Sequence, residues 1–165
     1  MYKLTLLTLI ILVTGCMQDG YQNVGDIPFD ASIDDENFKV CNERNIKQYY
    51  LRRSSDAPPS YRGEKRALEQ AILSEYSFPE AAQENGYLTI RFIVNCEGAP
   101  GRFRVEEMDF SYQPKTFDPQ ITSQLLRLVK NLTDWVPRKR RNTTYDFYQY
   151  LTFKIQKGQV IEILP

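Results

Sequence analysis

The chain has 165 residues, in which 21 lysines and arginines balance 21 aspartates and glutamates, and it contains no histidine. The lack of histidine argues against the usual catalytic triads and most zinc sites, because these depend on an imidazole as base or ligand. The balanced charge argues against nucleic acid as the general partner. We therefore expect a non-enzymatic protein without a catalytic residue, a metal or another cofactor.

The first sixteen residues have the layout of an export signal. Lys3 precedes an apolar run over residues 4–13, which is too short to span a bilayer. The run leads into Thr14, Gly15 and Cys16, so small residues stand directly before a cysteine. The segment resembles the lipobox of bacterial lipoproteins, which implies removal of residues 1–15, lipidation of Cys16 and a durable membrane anchor. An uncleaved anchor, or an ordinary signal with an accidental cysteine, is the alternative.

Such an anchor places the mature chain in the cell envelope, with its domain in the periplasm or at the cell surface. We expect the outer membrane in preference to the inner one, although the anchor itself is compatible with both. Residues 16–62 then form a lipidated tether and docking extension. Residues 17–36 are polar and aperiodic, which predicts a solvated tether. The apolar stretch around Phe38 and Val40 is expected to dock on the domain that follows.

Two cysteines remain after Cys16, namely Cys41 and Cys96. An isolated pair in a small domain of an oxidising compartment is most simply a disulfide. Two free thiols are the alternative.

The next segment shows helical spacing. Leu68 and Ile72 recur within 64–76 with charged residues on the other face, which predicts an amphipathic helix. A short helical segment is expected to follow from Phe78 through Glu84, because a proline stands at its start.

Two strands joined by a glycine turn come next. Alternation over 88–94 predicts a half-buried strand, and residues 96–101 form the turn. The second strand starts with Phe103 and Val105, but the apolar positions then slip by one at Glu106-Glu107. A one-residue slip turns every later side chain to the other face, so we expect a β-bulge there.

The strongest helical pattern lies in the second half. Asp118-Pro119 supplies an N-cap and a first-turn proline, and apolar residues recur at helical spacing from Ile121 to Leu132. Trp135 is expected to pack between this helix and the sheet. Strand patterns follow over 147–155 and 159–164, joined by a tight turn. These elements predict an α+β fold, in which a small antiparallel sheet of three to four strands packs against two helices.

A basic loop precedes the last two strands. It consists of Arg138, Lys139, Arg140 and Arg141. Four cations here are either ordinary surface that complements a helix C-terminus, or a patch that holds anionic lipid headgroups or an acidic partner.

The order of these elements, with Phe-Pro-x-Ala-Ala, a glycine turn and Trp-x-Pro, resembles the TonB C-terminal domain over about residues 64–165. The matching positions are Phe78, Pro79, Ala81, Ala82, Gly86, Ile90, Phe92, Val94, Gly98, Trp135 and Pro137. The resemblance implies a domain over 63–165 that captures a short peptide of a transporter by adding it as a strand to the sheet edge.

The chain departs from the energy transducers of that family in three ways. It has a lipid anchor instead of a transmembrane helix, and it lacks a long proline-rich spacer. Its last strand, Gln159 to Leu164, is expected to pair with residues 148–156 and to cover the edge used for capture. The resemblance therefore favours a binding module over energy transduction.

Two sets of residues are candidates for contact with a partner. Tyr148 and Tyr150 point outward on strand alternation, and tyrosine suits partner surfaces because it combines an apolar body with a polar tip. Gln159, Val160 and Ile161 belong to the expected edge strand.

The leading interpretation is a membrane-anchored envelope lipoprotein that binds an envelope protein by strand addition or through an aromatic face. A TonB-dependent outer-membrane receptor is one candidate partner. A component of TonB-dependent transport energisation is the alternative. A glycan-processing envelope enzyme is disfavoured, since the sequence shows neither a nucleophile elbow nor a metal motif.

Overall fold

The computed structural model describes residues 25–47, 60–78 and 83–164. The signal segment with Cys16, and the positions of Pro79, Ala81 and Ala82, lie outside these residues. Within the described ranges, no helix is long and apolar enough to cross a membrane.

The described residues contain two α-helices and six strands. The helices are α1 (Glu64–Leu73) and α2 (Pro119–Lys130), and the strands are β1 (Gly86–Val94), β2 (Pro100–Met108), β3 (Arg138–Arg140), β4 (Thr143–Tyr145), β5 (Phe147–Gln156) and β6 (Gln159–Leu164). A four-stranded antiparallel sheet has the order β2-β1-β5-β6, while β3 and β4 form a separate hairpin. This arrangement confirms the predicted α+β fold.

The inner face of the sheet, which lies under the helices, carries the core. β1 alternates as predicted, with Leu88, Ile90 and Phe92 fully buried. Each of them faces a buried residue of β5 across the ladder. α2 covers this face with the buried residues Ile121, Leu125, Leu128 and Val129. The predicted cap is also present, because the Asp118 carboxylate accepts a hydrogen bond from the Gln120 N–H at 2.8 Å.

The ends of the first helical region differ from the prediction. α1 stops at Leu73, which is exposed, whereas Tyr76 beyond it packs on the core and donates its hydroxyl hydrogen to the Gly158 carbonyl at 2.7 Å. The expected short helix does not reach Glu84, since residues 83–85 have no helical structure.

The expected bulge at Glu106-Glu107 is wrong. These residues pair in unbroken register with Thr89 and Leu88 of β1. The register shifts earlier in β2, between residues 101 and 104, where Arg102 has a φ of 54°. No bulge is needed after Val105, because β2 ends at Met108. The next apolar residues, Phe110 and Tyr112, lie outside the strand, so they do not have to follow its alternation.

The outer face of the sheet is partly covered by residues 25–47, here called the N-terminal extension. Arg104 of β2 forms a bidentate ion pair with Asp34, with both N–O distances at 2.8 Å. Arg102 Nη2 donates to Glu43 Oε2 at 2.8 Å, and Ile27 is buried. Within residues 25–36 the chain is therefore docked at Ile27 and Asp34 and is not a free tether, whereas residues 28–33, 35 and 36 are exposed, as predicted for a solvated segment.

The extension ends as a short addition to the sheet. The Lys47 N–H donates to the Asp146 carbonyl at 2.9 Å, and the Tyr148 N–H donates to the Lys47 carbonyl at 3.0 Å. Lys47 thus pairs in parallel with Phe147, at a part of β5 that β6 does not reach. The extension is consequently part of the domain as far as Lys47.

Candidate functional site

Cys41 and Cys96 form the expected disulfide. Their Cα atoms are 6.0 Å apart, and the bridge ties the extension to the turn between β1 and β2 across 55 positions of sequence. The disulfide fixes where the extension sits on the sheet.

A buried carboxylate supports this bridge. The Asp146 side chain accepts backbone N–H hydrogen bonds from Cys41 at 3.0 Å, Asn42 at 2.7 Å and Cys96 at 2.9 Å. Cys41, Cys96 and Asp146 lie close enough to hold a metal ion. Both cysteines are in the disulfide, however, and the carboxylate accepts N–H hydrogen bonds, so the cluster holds the extension to the turn between β1 and β2. Sequence reasoning missed Asp146, because its partners lie far from it along the chain.

The two candidate tyrosines lie on the outer face in different surroundings. Tyr148 is half-buried beside the extension, where its hydroxyl donates to Asp26 Oδ1 at 3.2 Å. Burial, reinforced by the nearby Asp26 carboxylate, raises the pKa of Tyr148. Tyr150 is exposed. Tyr148 is therefore occupied by the chain itself, and Tyr150 is the tyrosine of the pair open to a partner.

The basic run is not the loop that the sequence predicts. Arg138 to Arg140 form β3, which pairs with β4. Arg138 is buried with its guanidinium 5.6 Å from the centre of the Phe147 ring, whereas Lys139, Arg140 and Arg141 are exposed. Arg138 packs inside the domain, so the surface patch consists of the other three cations of the predicted four.

β6 forms one edge of the sheet, as predicted. It pairs antiparallel with residues 152–156 of β5, and it carries one extra residue between Val160 and Glu162. Val160 packs on the core, while Ile161 is 48% exposed. The strand and its place at the edge are confirmed, but the pairing with 148–156 is confirmed only over 152–156. A role for Gln159, Val160 and Ile161 in partner binding stays a prediction.

β2 forms the other edge, and a groove of about 770 Å³ runs along it. The outer wall comes from the extension and the inner wall from α2. Its lining is mixed: apolar positions are Ile33, Phe38, Pro100, Gly101, Phe103, Val105 and Leu126, and charged positions are Asp34, Asp35, Arg102, Arg104 and Lys130. Sequence reasoning missed this groove, because it requires the extension to lie beside β2.

Backbone groups of β2 face this groove. The Glu107 carbonyl accepts from the Lys115 N–H at 3.1 Å, so the backbone of Glu107 points away from β1. Successive residues of a paired strand alternate in direction, which gives the N–H and C=O of Val105 the same outward orientation. The segment Gln113–Lys115 already pairs with the end of this edge. The groove therefore presents apolar and charged side chains together with the hydrogen-bonding groups of a strand edge.

An aromatic cluster, defined as Tyr87, Phe110 and Tyr112, lies on the outer face where β1 begins and β2 ends. The Tyr87 ring stacks on the Tyr112 ring with centroids 5.7 Å apart, and it meets the Phe110 ring edge-on at 5.2 Å. Tyr112 is 71% exposed and Phe110 is 42% exposed. The cluster gathers two exposed aromatic rings around Tyr87.

The acidic residues at the end of β2 each have their own partners. Glu106 Oε1 lies 2.6 Å from Arg91 Nη1. Glu107 accepts hydrogen bonds from the Phe117 N–H and the Thr122 hydroxyl. Glu106 is thus an ion-pair group, and Glu107 holds the start of α2 against the sheet.

Comparison of the chain with protein-family models, with curated proteins and with solved structures finds no match.

Proposed function

We propose that this chain is a lipid-anchored envelope protein whose domain binds another protein by β-strand addition. The groove along β2 is the proposed docking site, and a TonB C-terminal-like domain is the proposed relationship. The order α1, β1, β2, α2, β5, β6, with the short β3–β4 hairpin inserted before β5, supports that relationship. The partner is an envelope protein, for which a TonB-dependent outer-membrane receptor is one candidate.

One observation carries the proposal: the edge of β2 combines outward backbone groups with a groove lined by both apolar and charged side chains. An added strand would satisfy the N–H and C=O of Val105 and place its side chains against the walls formed by Phe38 and Leu126. Backbone hydrogen bonds contribute affinity in this mode, and the lining side chains contribute specificity. Each backbone bond contributes roughly 1 kcal/mol net.

Replacing Val105 with proline tests this mode of binding. The Val105 N–H points away from β1, so proline removes a donor to the added strand and leaves the β1–β2 ladder in place. A photocrosslinking amino acid at Leu126, in the groove wall, reports contact in intact cells. We expect a crosslinked envelope protein that is lost in Val105→Pro and retained in the matched control Val105→Ala, which keeps the N–H.

The same assay separates the groove from the edge of β6. Ile161 and Leu164 are exposed on β6, which favours it as the second candidate. A crosslinker at Ile161 reports this edge, and one at Leu73, exposed on α1, reports background. Crosslinking from Ile161 but not Leu126, with no effect of Val105→Pro, would place the partner on β6. Deletion of residues 158–165 would then abolish capture if β6 is the docking edge.

The anchor needs its own test. Cys16→Ser should abolish metabolic labelling with palmitate, because it removes the sulfur that carries the lipid. Labelling that persists in this variant would refute the lipoprotein assignment independently of the binding site.

A further inference from the structure

We propose that the outer face of the sheet lies against the lipid headgroups of the membrane that holds Cys16, with the aromatic cluster Tyr87, Phe110 and Tyr112 as its contact. The proposal rests on the lipid anchor proposed above. Two independent features of the same face support it, namely the place where the chain reaches the sheet and the exposed aromatic rings.

The chain reaches the domain in the middle of the outer face. The Gly25 carbonyl accepts a hydrogen bond from the Arg91 guanidinium of β1, and Asp26 accepts from Tyr148 of β5. Both donors belong to the two central strands of the sheet. The tether therefore leaves the domain from the face opposite the helices.

The length of the tether limits how the domain can be oriented. Residues 16–24 span at most about 30 Å even when fully extended. A domain of this size has a radius of gyration of about 14 Å, so a path over its surface to the helix side would be roughly 50 Å long. The tether is too short for that path. The outer face is consequently the side nearest the lipid anchor.

The aromatic cluster is held in position by its own turn. The Asp109 carboxylate accepts from the N–H groups of Ser111 at 2.7 Å and Gln113 at 3.0 Å, and the Tyr112 N–H donates to the Asp109 carbonyl at 3.0 Å. Tyr112 has a φ of 61°, a left-handed conformation that is unusual for a bulky residue. The turn thus presents a large aromatic side chain to the surroundings of the domain.

The chemistry of this face suits the headgroup region. Tyrosine rings concentrate at membrane interfaces, where the ring contacts apolar groups and the hydroxyl stays hydrated. Tyr150 and Leu164 add exposed apolar surface on the same face, and the adjacent charge of Arg91 is paired with Glu106. Contact with lipid would therefore not require the burial of an unpaired Arg91.

Tryptophan fluorescence in vesicles tests the proposal. The full lipidated chain carrying Tyr112→Trp is reconstituted into vesicles of phosphatidylethanolamine and phosphatidylglycerol, with and without brominated phosphatidylcholine. Leu73→Trp, at a 44% exposed position of α1 on the helix side, is the matched control. The native Trp135 is buried and gives the same background in both variants.

We expect bromine to reduce the added emission of Tyr112→Trp by about twofold and to leave that of Leu73→Trp unchanged, because quenching requires contact with the lipid. Equal quenching of the two variants, or none at position 112 in chains that float with the vesicles, would overturn the proposal. Occupation of this face by a protein or a glycan would give that second result. A chain that does not float with the vesicles would overturn the anchor itself and this inference with it.

Discussion

Asp146 joins three backbone N–H groups from two distant segments, and replacing it with alanine should lower the free energy of unfolding by about 3 kcal/mol. The estimate follows from the structure, because Asp146→Ala leaves the N–H groups of Cys41, Asn42 and Cys96 without their acceptor. A buried donor without a partner costs about 1–3 kcal/mol. We take the lower end, about 1 kcal/mol for each of the three N–H groups, which gives about 3 kcal/mol in total. The lower end applies because Cys41 and Asn42 lie near solvent and water can reach their N–H groups.

Asp146→Asn should cost less, about 1–2 kcal/mol. Its carbonyl oxygen can still accept from Cys41 and Cys96, which both donate to Oδ1. Its amide nitrogen would instead face the Asn42 N–H, and two donors cannot bond to each other. We therefore also predict that Asp146→Ala lowers the free energy of unfolding more than Asp146→Asn does.

Urea unfolding of the unlipidated Cys16→Ser protein measures these differences, with the fluorescence of the buried Trp135 as the probe. Asp109→Ala is the matched control, because Asp109 also accepts two backbone N–H groups, but in an exposed turn where water replaces it. We expect a loss below about 1 kcal/mol for the control. An Asp146→Ala protein within about 0.5 kcal/mol of its parent, at an unchanged denaturant slope, would refute the reasoning.

Three further predictions concern stability. Replacing Cys41 and Cys96 together by serine should lower the free energy of unfolding by about 4 kcal/mol, the value that the chain-entropy model gives for a separation of 55 residues. Urea titration should show the same loss for the parent protein in dithiothreitol. The hydrogen bond from Arg104 lowers the pKa of Asp34, so Asp34→Asn should destabilise the protein at neutral pH and lose its effect as the pH falls below about 4. Burial raises the pKa of Tyr76 to about 12; Tyr76→Phe should cost about 1 kcal/mol at pH 7, a difference that disappears between about pH 10 and 12. A stability difference that does not change with pH, for Asp34→Asn or for Tyr76→Phe, would contradict the corresponding assignment.

The elements of the fold were predictable because their signals are local. The alternation of β1, the helical spacing of α2 and the Asp118 cap each depend on residues a few positions apart, and all three are confirmed. The bulge was misplaced because a slip in an apolar pattern also arises when a strand simply ends. Phe110 and Tyr112 belong to the turn after β2, where strand alternation no longer applies.

The surfaces of the domain were less predictable because distant segments build them. Asp34 and Arg104 are ordinary surface charges in the sequence, and only the docked extension makes them a bidentate pair. The groove along β2 has the same origin, since Phe38 supplies one of its walls. The docked extension also explains the glycine at position 101, because a methyl group there would overlap the Phe38 ring.

Both edge strands contain one residue more than their neighbours, at Arg102–Phe103 in β2 and near Ile161 in β6. An extra residue breaks the regular spacing of the outward N–H and C=O groups, so a long strand cannot pair along the whole edge. With the membrane anchor proposed above, this would matter because neighbouring copies confined to one membrane meet often. Two unbroken edges of one sheet would join copies head to tail into open filaments. We expect the irregular edges to keep the copies separate while the groove along β2 stays open to the short segment proposed to bind there.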